Sequence, residues 1–352
     1  MNCDIQTVDK YKYLGLWFNE HLDMTVMANE VARCAHRALG LLLAKVKAAG
    51  GIPLDIFTKL YCGCVQPVID YGAAVWGQRS FSSINAVQNR AMRFFLGVSK
   101  STPNAAIQGE LAWKTPIEQQ WTVVTRQWCR LINMDTNLLT KKIFIWAGQM
   151  ANNSCRNWFI SSKNQYQNLD LHYMLDTEAT INFTHAKNDV SCKMRDRIIN
   201  NWHQQLHRET AIRGTGANKL RTYRIFKTEY KSEPYLSIIM PWRHKRTLSQ
   251  FRCGTASLRI ETGRYEGLPL NERVCHNCPG IVEDELHVIT NCPAYHDLRN
   301  ELYHYCILNN ENFMTISDID KTCFVLNSTS IAKTTARILF LIMQRRRNMI
   351  YH

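Results

Sequence analysis

One stretch of the sequence restricts the fold more than any other. Cys275 and Cys278 stand two residues apart, His287 follows after eight more, and Cys292 after another four. A CxxC on a tight turn aims two thiolates at one tetrahedral ion from the same side, and the His and Cys that follow supply the remaining ligands. Soft thiolates with a borderline imidazole suit zinc and disfavour magnesium or calcium. Four protein ligands leave no open position for a catalytic water, so the expected cofactor is one structural zinc. His276 and His296 compete as ligands at poorer spacing, and the alternative is a set of scattered thiols without metal. Pro279 and Gly280 read as the turn after the CxxC. Glu283, Asp284 and Glu285 read as the acidic start of a short helix carrying His287, where the helix dipole favours negative charge, rather than as catalytic carboxylates.

At 352 residues the chain exceeds a typical domain of roughly 100 to 200, which suggests two or three packed units. Its longest apolar runs fall far short of a bilayer span, and no membrane partner is expected. The start, MNCDIQTVDKYKYLG, lacks the features of a secretory signal, which implies an intracellular location, nucleus or cytoplasm. There the 13 cysteines, an odd number, should be mostly thiols, and the sequons at Asn152, Asn182 and Asn327 carry little weight. Lys and Arg outnumber Asp and Glu by 43 to 29, a net +14 that points to polyanions, RNA or DNA, as partners.

Residues 9–18 alternate like a short strand ending at Asn19-Glu20. Helical spacing follows from Met24 to Lys47, through Val31, Ala35, Ala38, Leu42 and Val46, with Gly50-Gly51 as the stop. A second helix is expected near Asp55, as its cap, through Ile56, Leu60 and Cys64 as far as Pro67. A third runs from about Ser82 to Leu96, with Ile84, Val87, Ala91 and Phe94 inward and Gly97 as its end. Residues 105–160 read as further helices. Their tryptophans, Trp113, Trp121, Trp128, Trp146 and Trp158, read first as core filler and second as platforms for bases. Residues 151–192 are polar and weakly periodic, like a hinge with loops. The RGTGANK stretch around Gly214 and Gly216 lacks the ending of a phosphate loop and is set aside as a nucleotide site.

Just before the cysteines lies WRHKRTLSQFRCGTASLRIETGRY, where Arg243, Lys245, Arg246, Arg252, Arg259 and Arg264 mingle with Trp242, Phe251 and Tyr265. A rigid metal-pinned element beside such a helix suits phosphate backbone and unstacked bases, the alternative being a solvated basic face. Near the C-terminus an amphipathic helix ends in Arg345, Arg346 and Arg347, which either complement its dipole or contact phosphate.

These pieces together resemble the C-terminal part of non-LTR (LINE-type) retrotransposon reverse transcriptases. YKYLGLWFNEHLDM is similar to the strand just past that family's polymerase palm, and RCAHRALGLLLAKVK, LYCGCVQPVIDYGAAVWG and INAVQNRAMRFFLG are similar to its thumb helices. FRCGTASLRIETGRYEGLPLNERVCHNCPGIVEDELHVITNCPAYHDLR resembles its zinc knuckle with the preceding basic helix. The resemblance implies a mainly α fold. On that resemblance, residues 1–100 would form the end of the palm strand and a thumb-like bundle, residues 101–242 a helical connector with its polar hinge near 151–192, residues 243–308 the basic helix and CCHC knuckle, and residues 309–352 a C-terminal helix with a basic tail.

It also implies grip on template and primer by the thumb-like region and engagement of element RNA or target DNA by the knuckle. The family's two-metal polymerase chemistry normally needs an adjacent Asp-Asp pair, which this sequence does not contain, and the palm and fingers would precede Met1. The expectation is a non-catalytic nucleic-acid-binding portion, not an enzyme by itself, with no small-molecule substrate. A retroelement polymerase portion or ribonucleoprotein is a further expected partner. The alternatives are a zinc-pinned protein-interaction module and a decayed remnant without activity.

Overall fold

The computed structural model describes residues 8–150, 157–176, 179–207 and 219–351. Asn152 and residues 213–218 of the RGTGANK stretch, with Gly214 and Gly216, lie outside the described residues. The chain is mainly α-helical, and the strands among the described residues form two short antiparallel hairpins. None of its described helices is long and apolar enough to cross a membrane. It packs as two compact units, each built from three chain segments: residues 1–44, 59–88 and 114–201, and residues 45–58, 89–113 and 202–352.

The first unit opens with a hairpin, Lys10–Tyr13 against Leu16–Asn19, where the sequence suggested a single strand. Leu14 and Gly15 form the two-residue turn, both with positive φ, 46° and 83°, the geometry that matches the twist of paired strands. Tyr71 Oη donates to the Leu14 carbonyl at 2.9 Å, which holds that turn in place. The helix Met24–Ala48 buries Ala28, Val31, Ala35, Leu39 and Leu42, a stripe at 3.6-residue spacing that passes Ala38 by.

The main core of this unit surrounds the helix Pro116–Ile132, which starts with a capping box: Thr115 N donates to Glu118 Oε2 at 2.5 Å, and Glu118 N to Thr115 Oγ1. Trp128 is fully buried there among Phe144, Phe159 and Tyr166, and its indole N–H donates to the Met174 carbonyl at 2.8 Å. Trp121 and Trp158 pack on the same core, as filler, whereas Trp146 stands exposed. The segment expected to be a polar hinge is largely helical where it is described: Trp158–Asn168 is a helix, and Phe183–His207 begins another. Tyr166, Met174, Ala186 and Val190 bury themselves in that core, so a few large apolar anchors outweigh the polar composition between them.

The helix Leu54–Cys64 runs through Ile56, Leu60 and Cys64 as expected but buries the face one residue on. Ile56, Leu60 and Cys64 are exposed, while Phe57, Tyr61 and Val65 are buried, because the two rings carry the greater apolar area. Asp55 sits in its first turn, not at the cap. In Ser82–Leu96 the expected Ile84, Val87 and Ala91 are buried, but Phe95 takes the place foreseen for Phe94.

The second unit is made chiefly of the helices Asn104–Leu111, Trp242–Arg252, Arg259–Tyr265, His296–Asn309, Asp318–Asn327 and Ala332–Tyr351. Trp242–Arg252 packs along Ala332–Tyr351, with the rings of His244 and Phe340 4.9 Å apart. The second hairpin, Val274–Cys275 with Cys278–Val282, also belongs to this unit.

Candidate metal centre

The hairpin and the helical turn after it bring the cysteines and the histidine together. Cys275 lies directly opposite Cys278 across a two-residue connection, His276-Asn277, and opposite residues of an antiparallel pair project from the same face. The turn therefore lies inside the CxxC. Pro279 and Gly280, expected to form it, lie in the strand, where the register slips between the Val274–Val282 and Cys275–Cys278 pairs and Gly280 takes a φ of 77°.

Cys292 reaches the same point through an unusual local winding. In an α-helix a residue five positions on lies about 140° around the axis. Residues His287–Asn291 instead form a π-helical turn, closed by Cys292 N donating to the His287 carbonyl at 2.8 Å. That wider turn brings position i+5 back toward the side of position i, which explains how a His and a Cys separated by four residues share one site. Asp284 supports the turn by accepting from His287 N at 2.9 Å.

The candidate ligand atoms of Cys275, Cys278, His287 and Cys292 all lie within 4.8 Å of one another, and all of these residues are buried. Cys292 Sγ is 3.9 Å from Cys275 Sγ and 4.0 Å from Cys278 Sγ. Both ring nitrogens of His287 are buried without a hydrogen-bond partner among the described residues, a state that normally has an explanation in an unseen ligand or ion. Burial pushes the thiols of Cys275 and Cys292 up, Cys292 to about 12, and pushes the His287 imidazole down. A cation at their centre would keep such thiols ionised and engage the imidazole, and the cluster can hold one metal ion. His276 and His296 are exposed and outside it.

The acidic residues between the ligands tie the cluster into the fold. Glu283 Oε1 accepts from Arg346 Nε at 2.7 Å, and Glu283 Oε2 from Arg346 Nη2 and from Arg259 N, both at 2.6 Å. Glu285 takes both oxygens to Arg221 Nη2, at 2.6 and 2.7 Å. Both carboxylates are buried and serve packing, not only the start of a helix. Arg299 Nη1 donates to the Cys292 carbonyl at 2.8 Å, which fixes the far end of the π turn.

The basic residues read from the sequence separate into groups. Arg252 and Arg346 are buried and ion-paired, so their assignment as phosphate contacts is corrected: Arg252 is held by Glu110 and Glu233, Arg346 by Glu283. Arg345 pairs with Asp297 at the surface, Arg259 with Glu266 and Arg264 with Glu261. Lys245 is half-buried, its Nζ donates to the Leu236 carbonyl at 2.7 Å, and burial pushes its ammonium down. Arg243 and Arg246, one turn apart on their helix, and Arg347 are exposed.

Sequence reasoning missed the buried polar network behind the basic helix. Arg252 Nε and Nη2 donate to Glu110, Arg252 Nη1 donates to the Leu326 carbonyl at 2.6 Å, and Tyr235 Oη donates to Glu110 at 2.7 Å. Lys227 pairs with Glu233 beside them. The available signal was position: Arg252 sits one residue after Phe251 and four after Leu248, next to the helix's apolar stripe.

Fold and site define a mainly helical chain in which Cys275, Cys278, His287 and Cys292 form a buried cluster able to hold one metal ion. Compared with protein-family models, curated proteins and solved structures, the chain finds no match.

Proposed function

We propose that this chain is a non-catalytic, nucleic-acid-binding C-terminal portion of a non-LTR retrotransposon reverse transcriptase, acting inside the cell on RNA or DNA through a basic surface beside a structural zinc knuckle. The observation that carries this reading is the coupling of the cluster to the basic helices. The knuckle's Glu283 is clamped by Arg346 of Ala332–Tyr351, and that helix packs on Trp242–Arg252, which exposes Arg243 and Arg246.

Zinc is the metal that suits the site. Tetrahedral zinc with bonds of about 2.3 Å sets sulfurs about 3.8 Å apart, close to the 3.9 and 4.0 Å found here. When bound it supplies a cross-link between hairpin and π turn and the positive charge that keeps buried thiolates ionised. With all the ligand positions taken by protein, its role is structural.

A gel-shift titration of single-stranded RNA and DNA against salt tests the reading. Affinity should fall with a log-log slope of roughly one unit per phosphate contacted. The variant Arg243→Gln/Arg246→Gln/Arg347→Gln should flatten that slope by about two to three units while leaving the fold intact. Absent or salt-insensitive binding sinks the proposal.

A second reading, a protein-interaction module, is favoured by one feature of the first unit: Leu139, Ile143 and Trp146, spaced along one face of the helix Leu139–Gln149, and Met150 just after it are all exposed. A partner whose capture survives nuclease and is lost in Trp146→Glu would support it, and loss of every partner on nuclease treatment would count against it.

A further inference from the structure

The second unit contains a cavity of about 490 Å³ with no local mark in the sequence. Its walls come from three places in the chain: Lys47 near the end of the first long helix, Arg93, Phe94 and Val98 around the end of Ser82–Leu96, and Trp242 and Arg246 from the basic helix. Its volume lies within the roughly 300 to 1,000 Å³ of small-ligand sites. Trp242 leans on Phe94 and Phe95, ring centroids 6.4 Å away in each case, and lines the cavity while remaining 36% exposed.

The charge around this aromatic wall has one sign. None of the lining residues is acidic, and among the described residues no carboxylate forms an ion pair with Lys47, Arg93 or Arg246. Arg93 is held in place by Nη2 donating to the Thr102 carbonyl at 2.9 Å and to Asn104 Oδ1 at 2.6 Å. Arg246 lies across Gly97: a Cβ there would come within 2.5 Å of Arg246 Cγ. Gly97, at φ 65°, thus ends its helix and also leaves room for the guanidinium stem beside the cavity.

An aromatic wall with cations and no anion is complementary to a flat, π-bearing group attached to phosphate. The geometry points to a binding site for one unstacked nucleotide of a single strand, its base against Trp242 and its phosphate toward Arg246 and Lys47. This rests on the nucleic-acid reading above and adds a position at which the strand's bases, not only its backbone, are held. Stacking of this kind is tolerant of base identity because every base has a π face.

The test uses the full chain and a twelve-nucleotide single-stranded DNA, labelled at one end, in three forms: base-bearing, with abasic sites at its central positions, and with 2-aminopurine at the centre. The wild-type protein should bind the abasic strand about 5- to 140-fold more weakly than the base-bearing one, and Trp242→Ala should lose a similar factor on the base-bearing strand. Trp242→Phe should retain most of the affinity, and 2-aminopurine should be quenched by wild type but not by Trp242→Ala. Because the abasic comparison is made on the wild-type protein, it holds even where Trp242→Ala disturbs packing on Phe94 and Phe95.

Equal wild-type affinity for abasic and base-bearing strands overturns the pocket while leaving backbone binding in place. No binding of any strand removes the nucleic-acid reading itself. Binding of adenosine monophosphate as tight as that of the strand would replace strand recognition with a free-nucleotide site.

Discussion

Replacing Arg346 by Gln should destabilise the second unit far more than the same change at its neighbour Arg345. Arg346 and Glu283 form a two-bond pair with side chains only 9% and 2% exposed. Removing one member of a buried pair leaves an uncompensated charge, at about 3 to 5 kcal/mol. Glu283 keeps its bond from Arg259 N, which places the loss near the low end, about 3 kcal/mol or some 140-fold in the folding equilibrium. The Arg345–Asp297 side chains are 37% and 64% exposed, and such a pair contributes about 0 to 1 kcal/mol. Urea titration followed by release of metal to a chromogenic chelator reports on the unit that holds the cluster. Arg346→Gln should shift that transition by several times the shift of Arg345→Gln. The double variant Glu283→Gln/Arg346→Gln should recover much of the loss, because no charge then remains buried. Equal shifts in the two single variants, or a change under about 1 kcal/mol for Arg346→Gln, would refute this division of the arginine run.

Further outcomes follow from other buried charges. Arg252→Met should cost about 3 to 5 kcal/mol by urea unfolding, since it leaves Glu110 and Glu233 beside Lys227 alone; a loss under about 1 kcal/mol would show that the network contributes little. Burial pushes the Asp70 carboxyl up to about 6 against the ordinary 3.8, with the Gln66 hydrogen bond pulling the other way. The native state therefore binds that proton more tightly than the unfolded chain, so this contribution is full below about pH 3.8 and is lost as pH rises through 6. Asp70→Asn should accordingly stabilise the protein by about 1 to 3 kcal/mol at pH 7.5 and by almost nothing near pH 3.5; the same gain at both would contradict the cause.

What could be read from the chain depended on whether a residue's role is fixed by its own chemistry or by its partner. The spacing of Cys275, Cys278, His287 and Cys292 named the cluster because few roles other than ligation need that set. The π turn that makes it work has no simple sequence mark. Long amphipathic helices were legible, but the face of Leu54–Cys64 was not, since Ile56, Leu60, Cys64 and Phe57, Tyr61, Val65 follow the same period and only packing chooses between them. The first hairpin was hidden by Leu14, a residue seldom found at positive φ. Arginines were the hardest to place. Arg345, Arg346 and Arg347 look alike in sequence, yet the structure gives one a surface partner, one a buried partner and leaves one exposed. Their carboxylates lie 48 and 63 residues away, beyond any local pattern.

Elemental analysis of the full chain, expressed in zinc-containing medium and purified without chelator, bears most directly on the cluster. One zinc per chain is expected, falling to near zero in Cys275→Ser and in Cys292→Ser, with release of the metal accompanied by loss of the hairpin's protection from hydrogen exchange. Wild-type protein that carries no zinc, or a Cys292→Ser variant that keeps its full complement, would contradict the assignment of these four residues as its ligands.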